Sequence, residues 1–545
     1  MYRYRTILGA AAAAMALSIW APALPAAAPE LRVGLSAEPS SVDPHFHNLT
    51  PNHQLRSHVF ESLTDQDKNQ QPIPKLAESV RAVDPTTWEF KLRRGVKFTD
   101  GTEFTARDVI FSYCRVPKVE NSPSSLVVSM RAIATMTAPD PYTIIVTTTQ
   151  PHPVLANELS NIAIISAKAA GAPENLAFNR AGCTGMEAWP KTEDFNNLKL
   201  AVGTGPFRYV SFTRGDRIVL ERNDAYWGDK PVWQRVTFRP ITQAAARVAA
   251  LLAGDVDFIE NPPIQDLPRI KQNPQFVTAE ALSSRIIYLH FNYLTETAPP
   301  GVTDTGGKNP FRDRRVREAI SLAIDRDAIV ARIMGGVAVA AAELLPNPLP
   351  GTNAGIKPER PNIERARKLL AEAGYPNGFG LVLATPNDRY INDGQVAQAV
   401  AQMLTRIGIK TQIDAMTAST FFARRNRAEF GFWLSGWAAD TAEMSNPLRA
   451  LAATPDRNRG MGTTNPGSYS NPAMDAKLFE ALTVVDDARR NALLAEASRM
   501  AMSDFGLIPL HFEVSVWAFK RGLTYTAQMN QYTRAELVQQ APASR

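Results

Sequence analysis

PKLAESVRAVDPTTWEFKLRRGVKFTDGTEFTARDVIFSY, residues 74–113, is the stretch from which the fold is read. Its middle alternates with period two. Trp88, Phe90 and Leu92 point one way and Thr87, Glu89, Lys91 and Arg93 the other, the pattern of a strand with one buried face. Arg94-Gly95 interrupts the alternation, and Val96 and Phe98 resume it. Asp100-Gly101 is a tight-turn dipeptide, because glycine tolerates the positive φ that such turns need. Thr105 follows as a helix N-cap with Asp108 in the place of a capping box, and Val109, Ile110 and Tyr113 make an apolar helical face. The unit is strand, turn, helix, and it holds no catalytic constellation.

The rest of the chain sets bounds on what surrounds this unit. At 545 residues it is too long for one core and implies two or three domains. Apolar residues at 45% and charged residues at 21% are those of an ordinary globular protein. The net charge of +6 arises from 59 basic and 53 acidic residues without long like-charge runs, too dilute for a nucleic-acid footprint. Residues 1–28 read as a cleavable export signal: Arg3 and Arg5 are the positive region, 7–20 the apolar stretch and 21–28 the small-residue region. The apolar stretch is shorter than the ~20 residues that span a bilayer. Pro29 disfavours cleavage directly after Ala28 and points to a site between Ala23 and Ala27; without a cysteine in this segment no lipid anchor is expected. In an oxidising compartment the only two cysteines, Cys114 and Cys183, are free to pair, with two unpaired thiols as the alternative. Neither has a Cys or His at zinc-ligand spacing.

Taken in order, 31–35 is a short strand leading into AEPSSVDPHFHN, a segment near His45, His47, His53 and His58, four of the seven histidines. Metal ligation is one reading of these four. Irregular spacing, Pro44, Pro51 and the lack of an acidic cluster favour loop and pocket-wall histidines instead. Residues 142–148 are β-branched and strand-like. The GTG at 203–205 lacks the Lys-Ser/Thr of a phosphate-binding loop and reads as a turn before strands. Residues 244–253 form a helix stopped by Gly254, with a strand at 255–259 after it. Residues 297–309 read as a surface loop. Helices are expected at 314–324 and 327–334, with Asp325 as a cap, and at 364–373 between Asn362 and Gly374. Strand 381–384, helix 395–407 and strand 409–413 make a βαβ unit with parallel pairing; Val396, Val400, Met403 and Ile407 share one helical face. GFWLSGWAAD, 431–440, reads as a buried strand that ends at a Gly-Trp turn and a carboxylate, and 508–519 as extended chain returning to an earlier sheet. The motifs GxSxG, HExxH and SxxK are absent, so no enzyme is expected.

LAES, a spacer, TWEFKLRRGVKFTDG and TEFTARDVIFSY, followed by GTGPF and RN..YW, closely resemble the family 5 extracellular solute-binding proteins, the oligopeptide-, dipeptide- and nickel-binding proteins that feed ABC importers. The resemblance covers essentially the whole mature chain. It implies two α/β lobes joined by a double-stranded hinge, with an extra domain inserted in the first lobe. Carried onto this chain, the first lobe is 31–60, 190–280 and 510–545, the inserted domain 61–189 and the second lobe 281–509. It implies a monomeric periplasmic receptor without cofactors, which closes on a small peptide or peptide-like amine and delivers it to permease subunits in the inner membrane. The alternative it leaves is a metal or metal-chelate receptor of the nickel type.

Peptide binders of the family have a G-W-x-x-D motif whose Asp takes the peptide's amino terminus. Here it is Gly436, Trp437, Ala438, Ala439 and Asp440. An ammonium in a closed cleft needs a carboxylate, and Trp437 offers a flat apolar wall. Capping by Asp440 and a core Trp437 are the structural alternative. This chain continues Thr441-Ala442-Glu443-Met444 where peptide binders usually have Asp-Tyr or Asp-Asn, which leaves the ligand class open. TPNDRY, 385–390, follows a strand end, where α/β sheets bind ligands. Arg389 is available to hold a carboxylate bidentately or to lie on the surface, and Asn387 and Tyr390 are further candidates.

Overall fold

The computed structural model describes residues 29–180 and 183–541. The expected signal at 1–28 lies outside them. Thr87–Leu92 is a strand with Trp88, Phe90 and Leu92 buried and the residues between them half-buried. Val96 and Phe98 are buried before the turn at Gly101, whose φ is 85°. In helix Ala106–Arg115, the Thr105 N–H donates to one Asp108 carboxylate oxygen at 2.9 Å, and the other oxygen accepts from Ala167 N–H at 2.8 Å. The strand sits in a four-stranded antiparallel sheet in the order Ala77–Asp84, Thr87–Leu92, Thr143–Thr148, Ile133–Asp140. Phe90, Leu92, Phe104, Val109, Ile144 and Val146 share a core beneath it. Cys114 and Cys183 are joined as a disulfide, with Cα atoms 5.3 Å apart.

A separate twelve-stranded sheet carries both lobes. Phe276–Phe291 and Leu507–Lys520 run antiparallel through its middle and pass from one lobe to the other. At one end Leu507–Lys520 pairs with Phe258–Glu260, which leads through Glu30–Leu35 and Arg235–Pro240 to Arg217–Arg222 and Phe207–Thr213. At the other end Phe276–Phe291 pairs with Phe432–Ala438, and that strand with Gly380–Pro386. The pairing register breaks between Leu282 and Ile286, where the two strands cross between lobes. This is a two-lobe α/β fold with a double-stranded hinge and an additional domain on the first lobe.

In the second lobe, Gly380–Pro386 and Lys410–Met416 pair in parallel across helix Asp393–Thr405, the βαβ unit read from the sequence. Val396, Val400, Met403 and Ile407 pack in one core. Side-chain caps appear where short polar residues precede helices: the Asn362 Oδ1 accepts from Arg365 N–H at 2.9 Å and Asp325 Oδ1 from Ala328 N–H at 2.9 Å. The helix expected at 327–334 is Arg326–Ala328 continued by a wider π-type turn, Ile329–Ile333. Phe432–Ala438 does not stop at a Gly-Trp turn. It runs on through Gly436 and Trp437, which pair with Ile287 and Ile286 of the hinge strand.

Candidate functional site

A cleft of about 360 Å³ opens between the lobes. Its floor is the break in the hinge pair, where Ser283, Ser284 and Arg285 face inward. Arg389, Tyr390, Phe422, Arg425, Gly436, Trp437, Ala438 and Asp440 line it, as do 529–532 of the C-terminal segment and Gln66 and Gln70. Five of the six ligand-site candidates read from the sequence border this one cleft: Asp440, Trp437, Gly436, Arg389 and Tyr390. Asn387 does not; it is exposed, with its N–H bonded to Met416 O at 3.0 Å.

Asp440 stands two residues beyond the end of Phe432–Ala438, and its carboxylate makes no hydrogen bond or ion pair with any described residue. Its side chain is exposed to cleft solvent. The protein packed around it pushes its pKa up to about 6; Arg285 pulls it down and Glu158 adds to the rise. Its backbone is held firmly. Gln66 Nε2 donates to Asp440 O at 2.8 Å, Gln70 Nε2 to Ala439 O at 3.3 Å and Asn157 Nδ2 to Thr441 O at 2.7 Å. Gln66 also donates to Asn157 Oδ1 at 2.7 Å and Asn157 Nδ2 to Gln70 O at 3.3 Å, so the three residues hold the 439–441 backbone as one latch.

Gly436 is explained by close approach. A Cβ there would lie 2.6 Å from Tyr390 Cε1 and 2.9 Å from Ile287 Cδ1. The buried Tyr390 ring occupies that space, and its hydroxyl donates to Gly436 O at 3.2 Å. Trp437 is half-buried, with its indole N–H donating to Asn446 Oδ1 at 2.7 Å, which fixes the ring as a wall. Arg389 is exposed. Its guanidinium lies 5.4 Å from the Tyr390 ring centre and has no hydrogen-bond or ion-pair partner among the described residues.

Three cleft residues escaped sequence reading. Arg285, buried in the hinge, lies 3.4 Å from Glu513 and donates to Gln531 Oε1 at 3.0 Å. Gln531 in turn donates to Ser515 Oγ at 3.0 Å, which ties the C-terminal segment to the hinge. Arg425, from helix Ala418–Asn426, reaches the cleft with its guanidinium on Asn426 Oδ1 at 3.0 Å and 3.5 Å from Ser435 Oγ. No local motif marks these three, because each comes from a different segment and meets the others only in the fold.

The N-terminal histidines have separate roles. His45 bonds Ala163 O at 2.7 Å, His47 bonds Ser40 Oγ at 3.0 Å, His53 bonds Asn48 Oδ1 at 2.7 Å, and His58 accepts from Ala535 N–H at 3.0 Å. Burial is the largest influence lowering the pKa of each, to about 3 for His45. Among the described residues no group of three or more His, Cys, Asp and Glu is arranged to hold a metal ion, and no helix is long and apolar enough to cross a membrane.

The model of the bacterial extracellular solute-binding proteins, family 5, matches residues 71–459. The glutathione-binding protein GsiB of Pectobacterium atrosepticum is 28% identical over 532 residues, covering 96% of this chain and 95% of that protein. The structure of the periplasmic binding protein DppA from Helicobacter pylori, in complex with the peptide STSA, superposes with a TM-score of 0.74 at 24% identity, covering 94% of this chain and 98% of that one. HbpA2 from Haemophilus parasuis gives a TM-score of 0.77 at 22% identity over 94% of this chain and 100% of its own. Lobes that share a strand-pair hinge, a cleft at the break in that pair and a family match across most of the chain agree: this protein belongs to the family 5 bacterial extracellular solute-binding proteins, the periplasmic binding proteins of ABC importers.

Proposed function

We propose that the protein captures a small peptide or peptide-like amine between its lobes and delivers it to an ABC permease of the inner membrane. The observation that carries this reading is the Asp440 carboxylate in the cleft, held in place through its backbone and making no hydrogen bond or ion pair with any described residue. A carboxylate on the wall of a cleft that closes over its ligand is stabilised by a ligand ammonium. The relatives' names point the same way, since GsiB is named for glutathione and DppA was solved with a peptide. The same reading includes export to the periplasm through cleavage of the 1–28 signal, action as a monomer, and the domain limits 31–60, 190–280 and 510–545 for the first lobe, 61–189 for the inserted domain and 281–509 for the second. It assigns the protein no catalysis. Native mass spectrometry of protein released from the periplasm tests it. The expected result is a bound small molecule with a primary amine, recovered unchanged after incubation; a bound molecule without an amine, or turnover of it, overturns the proposal.

A further inference from the structure

The chain holds a second cavity, of about 520 Å³, larger than the cleft at the hinge break and sharing no wall residue with it. Asp440 lines the cleft and Thr441 lines the cavity, so the latched 439–441 backbone stands between the two. One side of the cavity comes from the body of the four-stranded sheet: strand Pro72–Pro74, Val80, Trp88, and Val154 to Asn157 at helix Leu155–Leu159. The other side is Pro350, Thr441, Glu443 and the start of helix Asp487–Ser503, from segments whose Ala442, Met444 and Leu494 share a different core.

Most of the wall is apolar, with Ile73, Val80, Trp88, Val154 and Val485 beside four prolines. Its charged residues, Glu443, Asp487 and Arg490, are matched to one another. Arg490 Nε donates to Glu443 Oε1 at 2.7 Å and its Nη2 to Asp487 Oδ1 at 2.6 Å, while Nη1 reaches the carbonyl oxygens of Val484 and Val485. Two carboxylates thus share one arginine, and no lining cation is left for an anionic ligand. The neutral groups are different. Trp88 Nε1, Thr441 Oγ1 and Asn491 Oδ1 have no hydrogen-bond partner among the described residues, although Trp88 is only 9% exposed and Thr441 6%. Buried polar groups are ordinarily bonded, and leaving one unpaired costs stability. An indole N–H can only donate, an amide oxygen can only accept, and a hydroxyl can do both. Around one cavity the chain therefore sets a donor and two acceptors that no residue takes up.

We infer that this cavity is a second binding site, for an uncharged small molecule with an apolar body and an amide-type group. Its carbonyl accepts from Trp88, and its N–H donates to Thr441 or Asn491. The volume is that of a site for a small organic ligand. A molecule that touches both sides binds while the two cores are together, and so favours the closed arrangement. The site needs no amine and goes beyond the reading of Asp440.

Calorimetric titration of the purified protein with N-acetylphenylalaninamide tests it, beside N-acetylphenylalanine, which has the same ring but carries a carboxylate. Neither probe has an amine. The neutral amide is expected to bind and the anion to bind at least roughly ten-fold more weakly. Trp88→Phe keeps an aromatic ring without the N–H, and Thr441→Val keeps the shape without the hydroxyl; each should weaken the amide about five-fold. Thr441 lies outside the sheet, so its variant keeps the test sound if Trp88→Phe fails to fold. Gln66→Ala breaks latch bonds from the cleft side and should weaken the amide several-fold; an unchanged affinity there overturns the bridging of the two cores. No binding of the amide, or equal binding of the anion, overturns the site. Loss of amide binding in Asp440→Asn with full binding in both cavity variants places the probe in the cleft and overturns it too. The amine reading of the cleft is judged separately, on the molecule released from periplasmic protein.

Discussion

Asp440→Asn separates binding from stability. The substitution keeps the shape of the side chain and removes a charge that has no protein partner. For a ligand ammonium in a closed cleft, loss of the opposing charge costs roughly 3–5 kcal/mol. Solvent contact at Asp440 favours the lower end, which at about 1.4 kcal/mol per decade is a hundredfold or somewhat more in Kd. Stability should move the other way. The folded pKa of about 6 lies above the ordinary aspartate value of 3.8, so the folded state binds more protons than the unfolded one between those values. The ionised side chain therefore costs stability above pH 6, and the cost disappears as pH falls through the 6-to-3.8 window. Asp440→Asn should melt at or above the wild-type temperature at pH 7.5, with the gap closing by pH 4. Binding should follow the same group: one pH unit below 6, proton competition weakens the wild type about tenfold, and this step should vanish in the Asn variant. Calorimetric titration from pH 5 to 8 with the co-purified ligand, beside thermal melts, reads both effects. An unchanged Kd in Asp440→Asn, or the same pH step in both proteins, refutes the reasoning.

Two further outcomes are expected. Asn157→Ala removes the 2.7 Å bond to Thr441 O and the acceptor of Gln66, and at roughly 1 kcal/mol per neutral hydrogen bond should shift the free protein toward an open form; small-angle scattering should show a larger radius of gyration, and an unchanged profile counts against the latch. Protein from the periplasm should show no free thiol under denaturing, non-reducing conditions; reduction of the Cys114–Cys183 link, which spans 69 residues, should lower stability by up to about 4 kcal/mol, read as an earlier urea midpoint.

The sequence was most legible where one face of an element is wet. Thr87–Leu92 alternates because only one of its faces meets a core, and helix Asp393–Thr405 shows its apolar stripe for the same reason. Phe276–Phe291 was missed: from Ser283 onward it is buried on both sides, so no alternation survives, and Ser283-Ser284-Arg285 interrupts its apolar run. Gly436 looked like a turn because glycine usually marks one. Here it makes room for the Tyr390 ring inside a continuing strand, and no local pattern distinguishes the two uses. The candidate site split along the same line. Asp440 and Trp437, which line the cleft, lie in a contiguous motif that can be read locally, whereas Arg285, Arg425 and Gln531 reach the cleft from segments more than a hundred residues apart, two of them buried.

The latch has one more consequence, for how such a receptor changes its cargo over generations. On the second-lobe side, every one of its bonds ends on a main-chain oxygen, at Ala439, Asp440 and Thr441. Any amino acid at those positions supplies the same oxygen. A duplicated gene is thus free to vary the side chains there, and to acquire a new solute, while it inherits the closing movement intact. Drift on the other side has no such freedom, because Gln66, Gln70 and Asn157 bond through their side chains; a lineage that loses those amides loses the closure, whatever it binds.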